Sequence, residues 1–149
     1  MKLEEEIKQK QFSDEYHKLV INIMYTNSWL TNIQSRFFKQ YGLSGPQYNV
    51  LRILRGQYPK PATVSLIMER MIDKMSNASR IVDKLEKKAL VERKTCPSDR
   101  RAVDVVITGK GLGILKELDD SEVEWKDALK RVTNQEAKIL NDLLDKLRG

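Results

Sequence analysis

Between residues 14 and 41, apolar side chains recur mostly at three- and four-residue steps: Tyr16, Leu19, Val20, Ile23, Trp29, Leu30, Ile33, Phe37 and Phe38. That period predicts one long helix, with Gly42 as its stop. Its apolar face is wider than packing on one small neighbour requires. A second helix opens at Ser44-Gly45-Pro46-Gln47, with Ser44 and Gln47 as a capping box and Leu43 and Tyr48 as a hydrophobic staple. It carries Tyr48, Val50, Leu51, Ile53 and Leu54 inward and stops near Gly56, before a loop held open by Pro59 and Pro61. Thr63 caps the next helix, with Val64, Leu66, Ile67 and Met68 apolar, and Met71-Ile72-Asp73 makes a short turn. Met75, Ala78, Val82 and Leu85 then form one stripe of a further helix, for which Asp73 or Ser76 is the expected cap. Its other side carries Ser76, Asn77, Arg80, Lys84 and Lys87.

After Leu90 the period shortens. Residues 91–95 read as a strand, Cys96-Pro97-Ser98-Asp99-Arg100-Arg101 as a charged turn, and Val103, Val105 and Ile107 as a second strand. Thr108 opens a helix with Leu112, Leu115, Leu118, Val123, Trp125 and Leu129 as apolar positions. Gly109, Gly111 and Gly113 crowd its start, which suits either flexibility or the close approach of another backbone. Thr133-Asn134-Gln135-Glu136 is a capping box for the last helix, whose stripe is Ile139, Leu140, Leu143, Leu144 and Leu147. Residues 1–10 are polar and read as frayed. The expected fold is mainly α with a small β-hairpin. Helix, short turn, helix and hairpin over residues 63–107 have the layout of a winged helix-turn-helix.

Charge sharpens this picture. The 149 residues carry a net charge of +6, which favours an anionic partner. Residues 70–101 hold ten basic and five acidic side chains, so nearly the whole surplus falls on the helix and hairpin. That is the footprint of a nucleic-acid binder, although basic residues also simply solubilise an exposed helix. No apolar run is long enough to span a membrane, and the acidic start lacks the apolar core of a signal peptide. The single cysteine excludes an internal disulfide framework and suits the cytoplasm. One histidine, one cysteine and no phosphate loop give no catalytic or metal constellation, and no cofactor is expected. The acidic run Glu117, Asp119, Asp120, Glu122, Glu124 reads as a solvated face.

Four blocks in this order and spacing resemble the multiple antibiotic resistance regulator (MarR) family of bacterial transcription factors. They are Ser79-Arg80-Ile81-Val82-Asp83-Lys84-Leu85-Glu86-Lys87-Lys88, Leu90-Val91-Glu92-Arg93, Ser98-Asp99-Arg100-Arg101-Ala102 and Ile107-Thr108-Gly109-Lys110-Gly111. One departure is Ala89, where such sequences usually have glycine just past the recognition helix. If that backbone is left-handed, alanine costs on the order of 1 kcal/mol.

The resemblance implies one MarR-type domain over 1–149, with dimerisation helices at 1–41 and 109–149 around a DNA-binding lobe at 44–108. It implies a homodimer that sets two recognition helices about 34 Å apart on a pseudo-palindromic operator in double-stranded DNA. The two wide apolar stripes favour the same answer, the alternative being that they pack within one chain. By resemblance, Ser76, Asn77, Ser79 and Arg80 contact bases or phosphates, with Arg80 suited to guanine and Asn77 to adenine. Thr63, Lys74 and Lys84 are better placed for phosphates. Asp99, Arg100 and Arg101 match the wing tip, where an arginine reaches the minor groove and the aspartate holds the turn. Which arginine inserts is left open, and either can serve instead as a structural partner of Asp99.

The family often senses phenolic or other aromatic ligands, and the matching stretches include Trp29, Ile33, Phe37, Tyr48 and Arg52. Aromatics at this spacing equally serve as core. Cys96, close to Arg93 and Lys94, is either a redox-sensitive thiol or an inert one. The sequence thus predicts a cytoplasmic, homodimeric DNA-binding regulator, a repressor relieved by a small aromatic or phenolic ligand. The alternative is a winged-helix protein-interaction module that does not bind DNA.

Overall fold

The computed structural model describes residues 2–96, 99–121 and 126–149, the side chains of 96 and 99–102 excepted. Among these residues the elements run α1 (Leu3–Glu6), α2 (Glu15–Gln40), α3 (Gly45–Gln57), β1 (Ala62–Thr63), α4 (Val64–Arg70), α5 (Ala78–Lys87), β2 (Val91–Cys96), β3 (Asp99–Ile107), α6 (Gly109–Ser121) and α7 (Asn134–Arg148). They fall into two compact units, Met1–Gly45 and Pro46–Gly149.

In the first unit Asp14 caps α2, its carboxylate accepting from the His17 N–H at 2.8 Å. The helix closes at Gly42, whose φ is +66°. There the Gly42 N–H donates to the Lys39 carbonyl and the Leu43 N–H reaches back to the Phe38 carbonyl, both at 3.0 Å. This doubly bonded turn needs a left-handed residue, which glycine supplies without steric cost. Of the wide apolar face, Phe37 and Phe38 are buried, whereas Tyr16, Leu19 and Val20 stand exposed. The start of the chain departs from the frayed tail expected of it. Leu3 is buried, Lys18 pairs with Glu4, and the Tyr25 hydroxyl donates to Glu6 at 2.6 Å. Polar partners nineteen positions apart in sequence leave no trace in hydropathy.

The second unit is built on a three-stranded antiparallel sheet of order β1-β3-β2. The hairpin register runs from Val91 opposite Ile107 to Thr95 opposite Val103, then shifts before Cys96 opposite Asp99. Both strands are longer than expected, because the charged residues around 96–101 carry no hydrophobic alternation. Strand β1, which pairs Ala62 with Val105 and Thr63 with Asp104, was not foreseen. Two residues are too few to show a period. Val50, Leu51 and Leu54 of α3, Ile67 of α4, Val82 and Leu85 of α5, Val105 and Ile107 of β3, and Leu115 and Leu118 of α6 are buried. Arg55 joins α3 to α6 through Asp119 at 2.6 Å.

The glycine-rich start of α6 is a close approach at one position only. A Cβ on Gly111 would lie 2.4 Å from the Leu90 carbonyl oxygen, while nothing lies within 4 Å of one on Gly109 or Gly113. The capping box of α7 forms as expected: the Glu136 N–H donates to the Thr133 hydroxyl at 3.2 Å, and the Thr133 N–H donates to the Glu136 carboxylate at 2.7 Å. Val123 and Trp125 lie outside the described residues. No described helix is long and apolar enough to cross a membrane.

Candidate nucleic-acid interface

Helix α5 presents two unlike faces. Ala78, Val82 and Leu85 are buried, and Ser79, Arg80, Lys84 and Lys87 are exposed. The helix begins at Ala78, not at Met75. Asn77 caps it, its side-chain oxygen accepting from the Arg80 N–H at 3.0 Å. Asp73 and Ser76, the expected caps, organise the preceding loop instead. Asp73 accepts from the Met75 N–H at 2.9 Å and from the Ser76 hydroxyl at 2.6 Å. The Ser76 hydroxyl, followed by the Met75 N–H, holds the Asp73 carboxyl below its ordinary value of 3.8. With the loop running through residue 77, Met75 leaves the apolar stripe and is 94% exposed. Its three-residue spacing from Ala78 matched a helical period without a helix there.

The other expected contact residues divide by what their side chains already do. Thr63 caps α4, accepting from the Leu66 N–H at 3.1 Å. The Lys74 ammonium donates to the Glu69 carbonyl. Ser76 and Asn77 are engaged in the loop and the cap. Ser79, Arg80 and Lys84 share the exposed side of α5. Asp99, Arg100 and Arg101 open β3; their side chains, like that of Cys96, lie outside the described residues.

Arg93 is not among the expected contact residues. Its guanidinium pairs with Asp83, stands 3.6 Å from Glu86, and donates to the Ser79 carbonyl at 3.4 Å. One side chain thereby fastens β2 to α5. The signal was available: Arg93 is two residues from buried Val91 on a strand, hence on the inward face, where a cation needs acidic partners.

The far end of α5 is fastened as well. Ala89 has φ +57°, its N–H donates to the Glu86 carbonyl at 2.8 Å, and the Leu90 N–H reaches the Leu85 carbonyl at 3.0 Å. The Thr108 hydroxyl donates to the Ala89 carbonyl at 2.8 Å, and Lys110 donates to the Lys88 carbonyl at 2.9 Å. Lys88 also donates to buried Gln47 at 3.1 Å. Recognition helix, hairpin and the start of α6 are therefore held in one fixed arrangement.

Residues 43–103, which span α3 to α5 and the hairpin as far as Val103, match the MarR family. The chain is 25% identical over 131 residues to the HTH-type transcriptional regulator MhqR of Bacillus subtilis, covering 87% of this chain and 89% of the relative. A putative MarR-like transcription regulator from Bacillus cereus shares its structure with a TM-score of 0.80 at 25% identity, over 90% of this chain and 96% of the other. A mutant MarR of Escherichia coli complexed with operator DNA has the same fold, with a TM-score of 0.78 at 22% identity over 93% and 99% of the two chains. These relatives are transcriptional regulators by name.

The residues that the MarR resemblance marks for a ligand are shared between the two units. Tyr48 and Arg52 meet on α3, the guanidinium donating to the phenol oxygen at 3.1 Å and lying 5.8 Å from the ring centroid. On α2, Trp29 and Ile33 line an open cleft of about 330 Å³ together with Tyr25, Asn32 and Arg36, while Phe37 is buried.

Proposed function

We propose that the chain is a MarR-type transcriptional regulator that acts in the cytoplasm as a homodimer. It binds a pseudo-palindromic operator in duplex DNA, represses from it, and lets go when a small aromatic or phenolic ligand binds. The observation that carries the DNA-binding part is the exposed side of α5. Arg80, Lys84 and Lys87 project from a helix that Asn77 caps at one end and Arg93 fastens along its length. A rigid basic helix of this size fits a major groove. Dimerisation is supported by apolar side chains left in solvent on α2 and α7, including Val20, Met24, Leu140 and Leu143. Within the first unit, the Trp29 cleft with Arg36 on its wall supports a ligand that is aromatic and carries partial negative charge.

Selection of bound duplexes from a random library tests this reading. A recovered sequence with two inverted half-sites is expected. Recovery of unrelated sequences, with no motif enriched, would overturn it.

A further inference from the structure

Met75 and Ile72 are the most exposed large apolar side chains of the described residues, at 94% and 87%. Both sit in the connection between α4 and α5, at the mouth of the reading helix. The loop that carries them is tied down. The Ile72 N–H donates to the Asn49 side chain at 2.9 Å, and the Met75 N–H and Ser76 hydroxyl both bond to Asp73. Around them are exposed cations: Arg70 ends α4, Lys74 precedes Met75, and Arg80 lies one turn into α5. Of the nearby acids, Asp73 has its carboxylate turned into its own loop, and exposed Glu69 is outnumbered by the three cations.

An apolar tip inside a cationic rim calls for a partner that is anionic at its edges and apolar at its floor. The major groove of duplex DNA has this character, with phosphates along the walls and the C5-methyl group of each thymine on the floor. We propose that Met75, with Ile72 beside it, covers thymine methyl groups where α5 enters the groove, and so sets a preference for thymine at those positions. The unbranched, polarisable methionine side chain suits this contact. The inference rests on the DNA-reading role proposed above.

The test uses the selected duplex, with each thymine replaced in turn by deoxyuridine, which lacks only the methyl group. Wild type is expected to bind about fourfold more weakly when the methyl beneath Met75 is removed, the worth of one buried methyl group. Met75→Ala should bind the thymine duplex more weakly by a similar factor and respond no further to deoxyuridine at that position. Arg80→Ala should keep the methyl sensitivity. Both side chains are exposed, so Met75→Ala and Ile72→Ala should unfold at the wild-type temperature. The inference is overturned if no deoxyuridine position weakens wild type, or if Met75→Ala shows the wild-type response at every position. Failure of the DNA-reading role would look different, since wild type would then bind no duplex selectively.

Discussion

Ala89 and Gly42 occupy the same place in two helix endings, and only one of them is a glycine. Both are left-handed, at φ +57° and +66°, and both close the same pair of backbone hydrogen bonds. A Cβ in that region is crowded by the neighbouring carbonyl, a cost glycine avoids. Ala89→Gly should therefore raise stability by about 1 kcal/mol in urea unfolding, with the transition slope unchanged. Gly111 is the opposite case. A methyl there would press on the Leu90 carbonyl, which already accepts from the Thr108 N–H at 3.1 Å and cannot withdraw freely. Gly111→Ala should cost about 1–3 kcal/mol in the same measurement, whereas Gly113→Ala should not destabilise. Both sites were partly legible in the sequence. The resemblance to MarR proteins singled out Ala89, and three crowded glycines suggested a close approach. Which glycine is crowded depends on where Leu90 lies in space, and no local pattern carries that. Met75 shows the converse error, because a correct spacing drew an exposed loop residue into a buried stripe.

At the scale of elements, the longer helices were readable because each carries an apolar stripe, and the expected caps Thr63 and Thr133 stood at the stripes' edges. What escaped were pieces held by polar or very short contacts: α1, the two-residue β1 and the Arg93 tie. The cap of α7 makes a pH dependence expected. Bonds from the Thr133 N–H and then its hydroxyl hold the Glu136 carboxyl below its ordinary 4.5. A lowered carboxyl stabilises the folded form above its unfolded value, and that contribution disappears as pH falls through the folded value. Amide protection in the first turn of α7 should thus weaken as pH falls below the ordinary carboxylate range. Glu136→Gln should start with weaker protection and lose the part of the pH response that Glu136 supplies. Equal pH responses in the two proteins would show that the box does not hold the turn.

The whole molecule poses the question of what covers its apolar helices. No residue of α7 is buried, and its stripe leaves Ile139, Leu140, Leu143 and Leu147 each more than half exposed. A fifteen-residue helix is marginal in water by itself, so a stable α7 argues for a second chain against this stripe. Sedimentation equilibrium should give the mass of two chains at micromolar concentration, and Leu140→Lys with Leu143→Lys should shift it towards one. A wild-type monomer would remove the dimer from the account. Two copies would also duplicate the basic face of α5, which is where sequence and structure agree most closely. The charge surplus of residues 70–101 was visible in the sequence, and the exposed side of α5 gives part of it a rigid frame.

The most direct test of that central point is the affinity for the selected duplex as a function of salt, for wild type, Lys84→Ala and Arg80→Ala. Affinity should fall steeply with salt in wild type. Loss of a phosphate contact in Lys84→Ala should lower the logarithmic slope by about one. Arg80→Ala should cost about 1–3 kcal/mol and relax the preference at one base pair. If both variants match wild type in affinity and slope, α5 does not read DNA and the account is wrong.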